Sequence, residues 1–301
     1  MNYRFLSVSE LEAILDAEGI TAETYALKRE AFVSGKSEAE VETELDRRIS
    51  VTRSALEKGL SEAQCSQSEL TTGAAVKLVS SSRRLVGEGL FTRALSYAPA
   101  INEVNACGGK VVAFPTAGSS GIVPGAIWAW WDEKRSHDES IAAPSAPFGS
   151  HLRGAFLNAS LVGVLIAQGA TLAGSEGGCQ AECGAAGAMA AAALCFLEGL
   201  SLTDRFQAAA LSLKNSLGLA CDPVAGLVEV PCVKRNAFVA ANALVATELV
   251  LAGIKSAIPF DEVIMAMKSI GDSLPASIKE NAEGGLAITP TGLACKARLV
   301  Q

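Results

Sequence analysis

Two long stretches without a charge constrain the fold most. Ala155 to Ala173 runs 19 residues with no Asp, Glu, Lys or Arg, and Gly184 to Leu197 is nearly all alanine, with Met189, Leu194, Cys195 and Phe196 for bulk. Both read as helices that are apolar on every face, which belong at the centre of a large bundle or in a bilayer. The first contains Asn158, Ser160, Gln168 and Thr171 and leads into an acidic, cysteine-bearing segment, so it reads as a buried core helix and no membrane partner is expected. Small Ala and Gly side chains let such helices approach closely.

Helical signals also fill the rest of the chain. Ser9 with Glu12, and Ser37 with Glu40, match the capping box, and Gly19, Gly35 and Gly59 stand where helix C-termini take a left-handed residue. Three helices over about 10–18, 22–34 and 38–58 follow, forming an arm with a solvated charged face. Thr203 to Leu217, Ala237 to Ile254 and Asp261 to Ile270 carry the same periodicity, with Gly218 and Gly271 as stops for the first and last. Alternation is scarce; Lys110 to Phe114 is the exception and predicts one short strand, and Ser136 to Ser150 predicts an exposed loop. The predicted fold is all-α: a multi-helix bundle with buried Ala/Gly-rich central helices. It forms a single unit over 1–301, in which an N-terminal arm, 1–60, packs on a helical core, 61–301.

The formal net charge is −7 and the basic residues are scattered, so no footprint for a nucleic-acid backbone exists. The start of the chain lacks the apolar region of a secretion signal, which predicts a cytoplasmic protein. In a reducing compartment its eight cysteines read as thiols, metal ligands or small buried hydrophobes rather than disulfides.

Three of them differ from the others in their neighbours. Cys179 and Cys183 sit in Gly-Gly-Cys-Gln-Ala-Glu-Cys-Gly; 42 residues past Cys179, Cys221 opens Cys-Asp-Pro-Val, and Cys232 closes Val-Pro-Cys. Cys179, Cys221 and Cys232 each adjoin residues that open or bend the backbone, whereas Cys65, Cys107, Cys195 and Cys295 sit in ordinary surroundings. Three converging thiolates suit zinc with a fourth ligand or an iron–sulfur cluster, and spacing alone leaves the two equal.

Several motifs then appear in order: Ser34-Gly35-Lys36-Ser37-Glu38, Ile101-Asn102-Glu103-Val104-Asn105, Pro115 to Gly125, Gly178 to Glu182, Asn215 to Cys232, Lys234-Arg235-Asn236, Gly284-Gly285-Leu286 and Thr289 to Gly292. In these the chain resembles, over nearly its whole length, the α subunit of the bacterial iron–sulfur-dependent L-serine dehydratases. The resemblance implies an oxygen-sensitive [4Fe–4S] cluster on Cys179, Cys221 and Cys232, with one iron left open for substrate. The implied reaction removes water from L-serine and ends in pyruvate and ammonia. Because no α/β segment for the family's β portion is present, a separate β subunit is expected, in an oligomer.

In that setting, Thr116, Ser119, Ser120 and Gly121 form the loop best suited to grip the amino acid, although the same residues suit a helix N-cap before Ile122. Arg235 and Asn236 add carboxylate contacts, and Glu182 and Asp222 orient the ligands. Lys234 is a candidate base if it is buried, and otherwise a surface cation. His137 and His151 read as solvent-facing or structural. Two departures from the family pattern stand out: Ser68-Glu69-Leu70-Thr71-Thr72-Gly73-Ala74-Ala75 lacks glycines and an acid, and Cys183 replaces an aliphatic residue. Cys183 reads as a silent core thiol in preference to a redox group or substitute ligand, and Cys295 as a tail thiol within possible reach of the open iron. A cluster enzyme acting on another small β-substituted amino or hydroxy acid, and a non-catalytic or redox-sensing cluster subunit, are the competing readings.

Overall fold

The computed structural model describes residues 2–83, 87–138, 141 and 145–300. Among these residues the chain forms thirteen α-helices: α1 Val8–Glu18, α2 Ala22–Ser34, α3 Glu38–Ser61, α4 Ala74–Ser80, α5 Leu90–Ala106, α6 Ile122–His137, α7 Ser150–Gly169, α8 Gly174–Gly177, α9 Ala185–Leu197, α10 Leu202–Lys214, α11 Cys232–Leu251, α12 Phe260–Ser273 and α13 Pro290–Val300. No strand forms among the described residues. Val111 to Phe114 lacks a partner, and the only ladder contacts are isolated bridges, Cys65 to Thr72 and Cys221 to Lys279.

The two uncharged stretches become α7 and α9. Ser150–Gly169 and Gln180–Leu197 are each long and apolar enough to cross a membrane, but α9 is packed by α6, α7, α10 and α11 at once. A helix covered on four sides has no polar face to keep, which is why alanine fills it. One continuous apolar core runs from Phe5 in the N-terminal segment to Met267 in α12.

Helix ends follow capping chemistry with some displacement. Ser37 and Glu40 form the expected capping box, and Gly19 and Gly35 end their helices at φ +63° and +68°. The first helix starts earlier than predicted because Ser7, not Ser9, accepts from Glu10 N, while Glu10 returns a bond to Leu6 N. Gly59 is not a stop: it lies inside α3, where an added Cβ would stand 2.2 Å from Ala100 O of α5. Gly271 likewise lies inside α12, against Gln180 and Gly177. The most consequential displacement is α11, which begins at Cys232 instead of Ala237, so Cys232, Lys234, Arg235 and Asn236 ride on its first turn. The loop predicted from Ser136 starts after His137, and its residues 139–140 and 142–144 lie outside the described residues.

Candidate active site

Three segments bring the cysteines together. After α8, Gly178 at φ +74° reverses the chain into Cys179 and a π-helical turn, Gln180–Gly184. Gln180, fully buried, holds this turn from both sides: its amide donates to Met267 O and accepts from Gly218 N, both at 2.9 Å, and its N–H donates to Leu219 O at 3.2 Å. Cys221 is locked by backbone bonds, its N–H donating to Ile278 O at 2.9 Å and its carbonyl accepting from Glu280 N at 2.7 Å. Asp222 accepts from Leu286 N at 2.8 Å and so ties the Gly284-Gly285-Leu286 turn to the cysteine loop. Cys232 opens α11.

Cys179, Cys183, Cys221 and Cys232 are all buried, and their protons are unevenly shared. Hydrogen bonds from Cys183 and Cys221, together with the Arg235 guanidinium, hold Cys179 well below the ordinary thiol range. Cys183 and Cys221 move the opposite way, because each donates to Cys179 and is buried. Burial and the Cys179 charge push Cys232 up to about 12. Among these thiols Cys179 is the one favoured as thiolate, and the Arg235 guanidinium faces it. Arg235 Nη1 also donates to Ala220 O at 2.9 Å, and Nη2 stands 3.9 Å from Asp222 Oδ1. Glu182 accepts from the Cys221 thiol at 3.6 Å; burial, with Cys179 and Glu280 adding negative charge nearby, pushes its carboxyl up to about 7.

The Thr116–Gly121 segment lies beside this group. Thr116 hydrogen-bonds to Glu182. Ser119 and Ser120 are fully buried: Ser119 Oγ donates to Phe114 O at 2.8 Å and Ser120 Oγ accepts from Asn102 Nδ2 at 3.3 Å. Their hydroxyls thus hold the loop's own shape, and α6 begins without a side-chain cap. Asn236, also fully buried, spans loop and cysteine helix: Oδ1 accepts from Gly121 N at 3.0 Å, and Nδ2 donates to Gly118 O at 2.8 Å and Cys232 O at 2.9 Å. With both amide hydrogens committed, Asn236 positions the loop, and the expected carboxylate contact from it is not available. Asn102 repeats the device, donating to Ala117 O and Gly118 O at 3.1 Å each.

Lys234 stands on the outer side of the first turn of α11. It is exposed, and it lines a surface groove of about 380 Å³ with Leu219, Pro231, Arg235 and Phe238, so the burial required of a base is missing. His137 pairs with Glu133 at 3.1 Å, and His151 sits among Trp130, Trp131 and Phe196. Cys295 is on α13, which packs against the turns Val224–Gly226 and Gly285–Ile288.

The departing segment has its own function in the fold. Ser66, Ser68 and Thr71 donate hydroxyl bonds of 2.5, 2.6 and 2.6 Å to the buried carboxylate of Glu229, three residues before Cys232. Ala74 N and Ala75 N donate to the buried Glu103 at 2.6 and 3.1 Å. Glu229 and Glu103 are quoted motif residues whose role the sequence did not reveal, and Glu280 carried no signal, since only backbone pairing with Cys221 brings it here.

Residues 12–287 match the family described as serine dehydratase alpha chain. The chain is 44% identical over 291 residues to the probable L-serine dehydratase alpha chain of Bacillus subtilis, spanning 96% of this chain and 93% of that one. It is 38% identical over 286 residues to the L-serine dehydratase alpha chain of Peptoniphilus asaccharolyticus, with 94% of each covered. It is also 33% identical to L-serine dehydratase 2 of Escherichia coli, aligning 95% of itself with 62% of that longer protein. With these matches running through the cysteine segments and the loop that packs on them, the chain belongs to the serine dehydratase alpha chain family.

Proposed function

We propose that the protein removes water from L-serine, giving aminoacrylate that tautomerises and hydrolyses to pyruvate and ammonia. The observation that carries this reading is the convergence of three buried cysteines from separate segments, Cys221 hydrogen-bonded to Cys179 and the Arg235 guanidinium beside Cys179 and Cys232, next to a glycine-containing loop, in a chain whose relatives are named L-serine dehydratases. Among the described residues no three His, Cys, Asp or Glu side chains are arranged to hold a metal ion. The chemistry of the donor set nevertheless suits an iron–sulfur cluster: three buried, unpaired cysteines come from separate segments, with a guanidinium beside Cys179. Cys179, Cys221 and Cys232 would hold it, and Arg235 would offset the negative charge of sulfide and thiolates. The cluster supplies Lewis acidity for the departing hydroxide.

The chain's own residues bind and orient. Gly118 and Thr116 present backbone and hydroxyl groups beside Glu182, in position to take the substrate's carboxylate or ammonium, while Asn102 and Asn236 keep that loop rigid. Gln180 and Asp222 fix the cysteine segments so that their geometry is set before substrate arrives. Lys234, exposed on α11, lacks the burial that would make it a base.

We also place a second, β-type subunit beside this one, supported by the alpha-chain naming of two relatives and by the extra length of the Escherichia coli protein. Eight free cysteines support a reducing, cytoplasmic setting. Anaerobic reconstitution with iron and sulfide, then a pyruvate assay on serine, threonine and cysteine with and without the β chain, tests the whole reading. A coloured, iron-loaded protein that yields pyruvate from serine is expected. A colourless protein holding zinc would sink the cluster, and a loaded protein inert toward serine with its partner present would sink the lyase.

A further inference from the structure

One side of α11 faces the core, and the other side is a second seam. Lys234, Phe238, Ala241, Val245, Glu248 and, just past the helix end, Ala252 are separated by four, three, four, three and four residues. That spacing keeps side chains on one face and is the pattern of a helix that packs against another helix. Here the face is open: Phe238 is 74% exposed and Val245 49% exposed. No other large apolar side chain among the described residues is as exposed as Phe238.

The occupant is encoded in the symmetry of the seam. Lys234 lies seven residues before Ala241 and Glu248 seven after it, while Phe238 and Val245 lie three before and four after. A second copy of α11 crossing antiparallel at Ala241 brings each Lys234 to the other copy's Glu248 and each Phe238 to the other copy's Val245. Beside Val245 is a groove of about 330 Å³, lined by Phe91, Leu244, Glu248 and Leu249, into which the facing Phe238 fits. The knob and its hole are thus on the same surface, as an isologous two-fold contact requires. Ala241, the smallest side chain of the seam apart from Ala252, sits where the helices come closest. A parallel arrangement sets Lys234 against Lys234 and is disfavoured by like charge.

We infer that the outer face of α11 is a self-association surface that pairs two copies of this chain about a two-fold axis through Ala241. Cys232 and Asn236 lie on the buried side of the same helix, so the contact runs along the helix that opens with a site cysteine in each copy.

The test is sedimentation velocity on the full chain, purified anaerobically, alone and with its β subunit. The wild type sediments as a dimer of the 30.9 kDa chain. Phe238→Asp weakens the dimer on the order of 100-fold without changing the helical circular dichroism, because the side chain is exposed. Glu248→Lys weakens it most at low salt, and Lys234→Glu combined with Glu248→Lys restores it. Ala241→Cys gives a disulfide-linked dimer under mild oxidation that the wild type does not give. A monomeric wild type, a dimer indifferent to both Phe238→Asp and the charge swap, or a Phe238→Asp chain that still self-associates but no longer binds the β subunit would each overturn the assignment.

Discussion

Removing the side chain of Asn236 tests how the cysteine helix and the Thr116–Gly121 loop are joined. The residue is fully buried and makes three side-chain hydrogen bonds, to Gly121 N, Gly118 O and Cys232 O. In Asn236→Ala, Gly118 O keeps its bond from Asn102, and Cys232 O lies in the first turn of α11. Gly121 N has no second acceptor among the described residues, so it is the group left orphaned. An orphaned buried N–H costs about 1–3 kcal/mol, and the two lost bonds about 0.5–1.5 kcal/mol each, before any cavity. The expected loss is therefore about 2–6 kcal/mol, read as a lower denaturant midpoint with an unchanged slope.

Asn236→Asp separates the roles of the two amide atoms. It keeps an acceptor for Gly121 N but turns the donor into an oxygen facing two carbonyls. That carboxyl favours its protonated form in the folded protein, so its folded-state pKa is raised above the unfolded value. Native protein then binds more protons, and the deficit of Asn236→Asp against wild type shrinks as pH falls from neutral toward the ordinary carboxylate range. Anaerobic unfolding at several pH values, with iron content measured alongside, gives both readouts. An Asn236→Ala protein within about 1 kcal/mol of wild type, or an Asn236→Asp deficit that ignores pH, would refute the clamp.

Other substitutions have outcomes the structure sets. Serine at Cys179, Cys221 or Cys232 abolishes stoichiometric iron binding, whereas Cys183→Ala, which takes away only the thiol that donates to Cys179, retains it; iron and sulfide analysis distinguishes the four. Gly59→Ala drives a Cβ toward Ala100 O, 2.2 Å away, and destabilises by about 2–3 kcal/mol as α3 and α5 are pushed apart, seen as a lower melting temperature. Ser37→Ala breaks the capping box of α3 and costs about 1 kcal/mol. Glu229→Ala strands the hydroxyls of Ser66, Ser68 and Thr71, and limited proteolysis then cuts within 62–75, which it does not do in wild type.

Local chemistry was legible in the sequence wherever it depends on neighbours a few residues apart. The uncharged runs of α7 and α9, the Ser37–Glu40 box, the left-handed Gly19 and Gly35, and the unusual setting of Cys179, Cys221 and Cys232 are of this kind. Helix periodicity failed where burial is all-round or where a residue answers to a distant partner. Helices α5 and α6 carry little pattern because both sides are covered, and Gly59 reads as a stop until Ala100 is seen beside it. The same limit applies at the site. Sequence singled out the three cysteines and the Thr116–Gly121 loop, but only tertiary packing turned Asn236 into the clamp between loop and cysteine helix, spent the hydroxyls of Ser119 and Ser120 on the loop itself, and left Lys234 exposed. Side-chain identity decides which bonds a residue is able to make; the donors and acceptors that arrive from more than a hundred residues away decide which of them remain free for chemistry.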